Sequence, residues 1–220
     1  IIMNRLEYSR FDWNIPYMKP SYNGGGNCVH WISDIKFSPF DSDTALFNTG
    51  TGLFMITGLA SGDVLVKPFC EGIEETVHLN VYTTPHGRNR IIDIIGDLGG
   101  FAFEDYDSEC ENSFANENGD RYITCLNADL TLSDPEYIVA TPRGNWTGKT
   151  KGGLILSKDC GSTWERLPMP RGLSEFIDKK LDNIEKPNVD SGWTAISADG
   201  KRIMWAVAGG RGFSNKAVCY

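Results

Sequence analysis

The sequence predicts an all-β protein built from short antiparallel strands. Three observations carry this. Turn residues recur roughly every 8 to 12 positions, with β-rich runs between them. Only residues 173–185 have helical spacing, through Leu173, Phe176, Ile177, Leu181 and Ile184. One eight-residue turn, 157–164, matches a hairpin pattern at every fixed position.

Residues 31–37 alternate in character and stop at Ser38-Pro39. Runs at 44–48, 53–57 and 64–67 follow, separated by Thr49-Gly50-Thr51-Gly52 and Ala60-Ser61-Gly62-Asp63. Further strands are expected at 91–95, 137–141, 153–157, 163–166, 194–197 and 203–208, and another opens near Val218. The stretch 109–120 is polar and Asn-rich and reads as a mobile loop.

The turn Ser157-Lys158-Asp159-Cys160-Gly161-Ser162-Thr163-Trp164 narrows the class, because it fits S-x-D-x-G-x-T-W at all five fixed positions. The Asp caps its own turn, the Gly supplies a positive φ, the Thr opens the outgoing strand and the Trp buries a large ring between sheets. This is the Asp-box (BNR repeat) of β-propeller blades, so Ser157, Asp159, Gly161, Thr163 and Trp164 are expected to be structural. A weaker echo runs from Ser197 to Arg202, with Trp205 lying 41 residues after Trp164. That interval suits one four-stranded blade. About four blades of roughly 50 residues are visible, fewer than a closed propeller needs. The expectation is an incomplete propeller, part of a larger protein or a processed fragment of one. Residues 1–90 would end a first propeller-like unit and cross over, and 91–220 would open a second.

The net charge of −8 and pI near 4.9 repel phosphate backbones, and no Lys/Arg stripe compensates, so no nucleic-acid partner is expected. A neutral polysaccharide is indifferent to that charge. No apolar stretch reaches membrane-spanning length. The first residues lack the pattern of a signal peptide, and the chain does not begin with Met, so a mature or cut product is expected. The three histidines and six cysteines are not at metal-ligand spacing, so neither metal nor cofactor is expected. The even cysteine count fits disulfides in a secreted protein, with Cys110–Cys125 the easiest bridge; the alternative is six separate buried thiols. The sequon Asn145-Trp146-Thr147 also points to secretion.

The stretch IIDIIGDLGGFAFEDYD, residues 91–107, holds the chemical question. Asp97 ends an apolar run and precedes Gly99 and Gly100, with Asp93, Glu104, Asp105 and Asp107 around it. An Asp before Gly-Gly is most often a turn former. The other reading is a carboxylic acid, partly desolvated by the apolar run, beside glycines that let a sugar approach the backbone closely. Trp31 and Trp146 are candidate platforms for pyranose faces, and Trp164 and Trp205 belong to the blade core. His78 and His86 read as loop residues without a role, and Glu74-Glu75 as a solvated face.

The order of segments resembles the xyloglucanases of glycoside hydrolase family 74. The matching pieces begin with residues 34–40 (DIKFSPF), 47–53 (FNTGTGL) and 71–77 (EGIEETV). They continue with 95–101 (IGDLGGF), the Asp-box and 197–205 (SADGKRIMW). The resemblance implies two seven-bladed propellers facing each other across a cleft for a xylose-branched β-1,4-glucan. It also implies an inverting hydrolysis by two Asp residues, one from each propeller. This chain looks like the middle stretch that joins the propellers. The resemblance gives Asp97 the role of general acid and places the base in an Asp-x-Gly-Gly segment absent here. It also places His30 and Trp31 where the family has cleft-lining residues. Where the family has basic or His residues after the Phe, this chain has Ala102-Phe103-Glu104-Asp105.

The reading is therefore a secreted glycosidase acting on the glucan backbone of xyloglucan, with the remaining blades supplied elsewhere and the 220-residue chain inactive alone. Its substrate contacts would be Trp31, His30, Gly99 and Gly100. The alternative is a non-catalytic propeller that binds carbohydrate or acts as a scaffold. A sorting-receptor propeller would not need the Gly-Asp-Leu-Gly-Gly-Phe segment, and a sialidase would need an Arg cluster that has no counterpart here.

Overall fold

The computed structural model describes residues 11–19, 29–74, 76–110, 113–144, 150–168, 192–207 and 216–219, the last four and residue 207 by their backbone only. The expected helix at 173–185, the sequon with Trp146, and Cys28 lie outside the described residues. Every named element is a strand. The chain divides into two compact units, Ile1–Thr76 and Val77–Tyr220. Strand β5 (Val77–Thr83) pairs along its length with β6 (Ile91–Gly96), which places it in the second unit.

The first unit is a four-stranded antiparallel meander of β1 (Ile35–Phe37), β2 (Ala45–Thr49), β3 (Gly52–Thr57) and β4 (Leu65–Pro68). Period-two alternation puts Ala45, Phe47, Phe54, Ile56 and Val66 in its core. Phe47 and Phe54 are register partners whose rings stack at 5.5 Å, and Phe11 meets Phe54 edge-on at 6.2 Å. Strand β1 is shorter than the run 31–37 because Trp31 takes φ 54°, which an extended strand cannot contain.

The second unit holds three sheets in meander order. They are β5-β6-β7 with β7 at Gly99–Phe103; β8 (Cys125–Leu130), β9 (Ile138–Pro142), β10 (Ile155–Ser157) and β11 (Glu165–Arg166); and β12 (Gly192–Ile196), β13 (Ile203–Val207) and β14 (Lys216–Cys219). Ile92 and Ile94 leave one face of β6 and join Phe114, Tyr122, Cys125, Ala128, Ile138, Ala140, Ile155 and Trp164 in the core between the first two sheets. Burying such a side chain contributes about 1.5–3 kcal/mol before ordering costs. Phe114 corrects the mobile-loop reading of 109–120: it is 1% exposed, its backbone bonds to Gly100, and its ring lies 4.5 Å from that of Trp164. An apolar ring among Asn residues brings residues 113 and 114 into the core, while 117–119 stay exposed.

The turn 157–164 builds itself from its own side chains. Gly161 N–H and Asp159 N–H donate to Ser157 Oγ (2.7 and 3.3 Å), and Thr163 donates from its backbone N–H and its hydroxyl to the two Asp159 oxygens (2.8 and 2.6 Å). Gly161 has φ 82° and faces Ile92, where an added Cβ would come within 2.9 Å. Trp164 is buried as expected. The echo at 197–202 repeats part of this: Ser197 Oγ bonds Asp199 Oδ1 at 2.7 Å, Arg202 N–H donates to Ser197 Oγ, Gly200 has φ 70°, and Trp205 is 1% exposed.

Polar side chains tie the first strand of each sheet to the next. Ala128 N–H on β8 donates to the Tyr82 hydroxyl of β5. Thr194 and Ile196 N–H on β12 donate to Asn127 Oδ1 and Asp129 Oδ2 of β8 at 2.7 and 2.8 Å. Outside the strands, Asn89 Nδ2 donates to the Cys160 carbonyl and to Ser162 Oγ, joining the 84–90 connection to the 157–164 turn.

The expected Cys110–Cys125 bridge is not formed; Cys70, Cys110, Cys125 and Cys160 are all free thiols in buried positions. Cys125 is part of the apolar core, and its thiol donates to the Asn127 carbonyl. Burial pushes the Cys125 thiol up to about 12 and that of Cys110 to about 11, so neither is reactive near neutral pH.

Candidate active site

Residues 96–98 connect β6 to β7, whose last register pair is Ile95 with Gly99. Leu98 points inward and is 4% exposed, while Asp97 at the tip is exposed. Asp97 has φ 63°, a left-handed conformation that Asp and Asn tolerate better than other non-glycine residues. Its backbone is held from both sides: Asp97 N–H donates to Thr124 Oγ1 at 2.9 Å, and Arg121 Nη1 donates to the Asp97 carbonyl at 3.1 Å. No hydrogen bond engages its carboxylate among the described residues. Arg121 and Thr124 were not singled out in the sequence, where nothing local links them to Asp97.

The two glycines after Asp97 are fixed by the packing around them. A Cβ on Gly99, which has φ 81°, would stand 2.8 Å from the Tyr122 carbonyl, and one on Gly100 would stand 2.6 Å from the Asp93 carbonyl and 2.7 Å from the Phe114 ring. Both residues are buried. Close packing therefore requires glycine at both positions.

Asp93 is not part of an acidic rim. It sits in the central strand β6, 6% exposed, with Oδ2 at 2.7 Å from His78 Nδ1. Its Oδ1 is buried with no hydrogen-bond partner among the described residues. Burial raises the Asp93 carboxyl above its usual range, and the bond and charge of His78 only partly offset this. His78 in turn lies on β5 rather than in a loop. Glu104, Asp105 and Asp107 are exposed as expected, with Glu104 paired to Arg88 at 2.7 Å.

His30 and Trp31 belong to the first unit and are brought together there. Their rings meet edge-to-face at 4.8 Å, and Trp31 is 82% exposed. The His30 carbonyl accepts from Gly50 N–H at 2.9 Å. A Cβ on Gly50 would lie 2.8 Å from Trp31 Cε3, so glycine is required beneath the indole. A left-handed backbone is costly for a bulky residue, and here it presents an indole face to solvent. His86 is exposed, as expected of a loop histidine. Among the described residues, no group of three or more His, Cys, Asp and Glu side chains gathers as a metal site.

These sheets and turns define a protein of propeller-blade type. The fold matches that of the GH74 xyloglucanase from Xanthomonas campestris (TM-score 0.66, 20% identity, 96% of this chain and 27% of that one). It matches a GH74 enzyme of Niastella koreensis as well (TM-score 0.64, 19% identity, 95% and 27%). In sequence the chain is similar to a xyloglucanase of a Paenibacillus species, 25% identical over 195 residues, covering 86% of this chain and 17% of that protein. It is also similar to an oligoxyloglucan-reducing end-specific xyloglucanase of Emericella nidulans (27% over 184 residues, 81% and 21%). Xyloglucanase Xgh74A of Acetivibrio thermocellus is similar at 26% over 200 residues (88% and 21%). No family model matches the chain. It spans about a fifth of the length of the curated relatives it matches. The chain is thus similar to xyloglucanases in sequence and has the fold of β-propeller blades.

Proposed function

We propose that this chain carries the general acid of a glycoside hydrolase that cuts the β-1,4-glucan backbone of xyloglucan. The observation that carries the proposal is the solvent-facing carboxylate of Asp97 on a tip whose backbone is clamped, in a chain similar to xyloglucanases over most of its length. In an inverting reaction the Asp97 carboxylic acid gives its proton to the glycosidic oxygen as the C–O bond breaks. A carboxylate on the other side of the sugar takes a proton from the water that attacks the anomeric carbon. The two carboxyls stand roughly 6.5–9.5 Å apart in such enzymes. The base belongs to a part of the longer protein outside this chain. A glucan seated on Asp97 excludes water from the tip. Within the first unit, Trp31 offers by itself a stacking platform for a pyranose, with the His30 ring edge-on against it. The S-x-D-x-G-x-T-W turn acts as an Asp-box that closes a blade and takes no part in the reaction.

Secretion belongs to this proposal because the substrate is a polymer too large to be taken up. Disulfides give it no support, since the four described cysteines are thiols. A non-catalytic, carbohydrate-binding propeller is the second reading, favoured by Ala102-Phe103-Glu104-Asp105 standing where the resembled family has basic or His residues. Reducing-sugar release from xyloglucan by the full-length protein, with and without Asp97→Asn, separates the two. The enzyme reading expects a large loss in the variant; the binding reading expects no turnover in either.

A further inference from the structure

We propose that His78 is a further substrate-contacting side chain, aimed by the buried carboxylate of Asp93 at a hydroxyl of the same glycan; this rests on the Asp97 reading above. Strand register carries the argument. Val77 lies opposite Gly96 and His78 opposite Ile95, so β5 starts at the end of the sheet where Asp97 sits. Cross-strand partners share a face, and alternation along β6 puts Asp93 on that face too. His78, Asp93 and Ile95 therefore form one patch next to the Asp97 tip, with Ile95 as its apolar floor at 2% exposure.

Asp93 makes little sense as a stabilising residue. It occupies a strand position flanked by isoleucines, its Oδ1 has no partner among the described residues, and one imidazole does not repay burial of a carboxylate. What the pair does well is orient. The Asp93 carboxylate accepts from Nδ1–H, which selects one tautomer and leaves Nε2 as the ring's other hydrogen-bonding atom. The ring is 54% exposed, which gives a ligand access to the imidazole. A neutral imidazole in that tautomer accepts a hydrogen bond at Nε2, and a protonated one donates. Both suit a sugar hydroxyl, which does either. Asp93 is a positioning residue, and the ligand class is a neutral oligosaccharide.

The test uses the full-length protein with the reaction silenced by Asp97→Asn and a xyloglucan heptasaccharide as probe, read by calorimetry and by the His78 ring resonances. Addition of the sugar is expected to shift the His78 Hε1 signal, and His78→Ala to weaken binding about tenfold, one hydrogen bond to a sugar hydroxyl. Removing the ring alone leaves Asp93 buried without a counter-charge, so His78→Ala/Asp93→Ala is measured beside it. The double change is expected to melt at a higher temperature than the single one and to bind equally weakly. Recovery of affinity along with stability would reduce the pair to a structural role and overturn the inference. So would unchanged affinity in both variants. Full hydrolysis by Asp97→Asn itself would overturn the Asp97 reading and this inference together, which sets that failure apart from the other two.

Discussion

Two turns in the second unit carry an Asp, a nearby Gly and a positive φ, yet they treat the carboxylate in opposite ways. In the 157–164 turn, both oxygens of Asp159 are bonded to Thr163, and Ser157 adds another contact. In the 96–100 turn the backbone of Asp97 is bonded by Thr124 and Arg121, and the carboxylate is left to solvent. A turn can thus be stabilised through its side chain or through its main chain. Only the second way leaves a carboxyl available to a ligand.

The strongest way to break the comparison is Asp97→Asn in the full-length protein. Loss of a general acid should lower kcat by about 10²–10⁴-fold. Asn tolerates the same left-handed backbone and keeps the Thr124 and Arg121 bonds, so the unfolding midpoint should stay put. A shifted midpoint would make the loss a folding effect. Next in size, Trp164→Ala should cost about 3–5 kcal/mol, read by denaturant unfolding, because it empties a core site that Phe114 helps to line. Asp159→Ala should cost about 1–2 kcal/mol with kcat/KM unchanged. A comparable loss of activity there would erase the distinction between the turns.

The pH dependence of stability sharpens it further. Burial raises the Asp159 carboxyl, but the bonds from Thr163, Ser157 and Ser162 outweigh that and hold it below 3.8. Its contribution is present above the unfolded value and is lost as pH falls through the folded one. Asp93 runs the other way: burial holds it above 3.8, so stability declines as pH rises through the unfolded value toward the folded one. Asp159→Asn should flatten the acid side of the profile, and Asp93→Asn should lessen the loss on the side of higher pH, both followed by melting temperature. The smallest effect concerns the thiols. Alkylation of the denatured, unreduced protein should label Cys70, Cys110, Cys125 and Cys160, and alkylation of the native protein should label Cys110 and Cys125 slowly.

What could be read from the sequence followed how local the determining bonds are. The S-x-D-x-G-x-T-W turn was legible because every bond that makes it lies within eight residues. The strands of the first unit were legible from alternation alone. Strand β8 was not, because its Asn127 and Asp129 look like turn residues and serve instead to accept the N–H groups of β12. Strand β5 does alternate, but His78 and Asn80 fall at a register shift. Asp97 could be located but not understood, since its supports come from 24 and 27 residues away. Asp93 was passed over because a carboxylate between isoleucines gives no sign of its depth. Cysteine spacing suggested a bridge where packing keeps thiols apart from one another.

The bonds from Tyr82, Asn127 and Asp129 to the next sheet have a consequence for how the second unit opens. Thr194 and Ile196 point their N–H groups away from their ladder partner, where water would ordinarily reach them. Held by β8 side chains, these two amides cannot exchange their protons until whole sheets part. Amide exchange at Thr194 and Ile196 therefore acts as a gauge of sheet separation in this unit, independent of the fraying of any single strand.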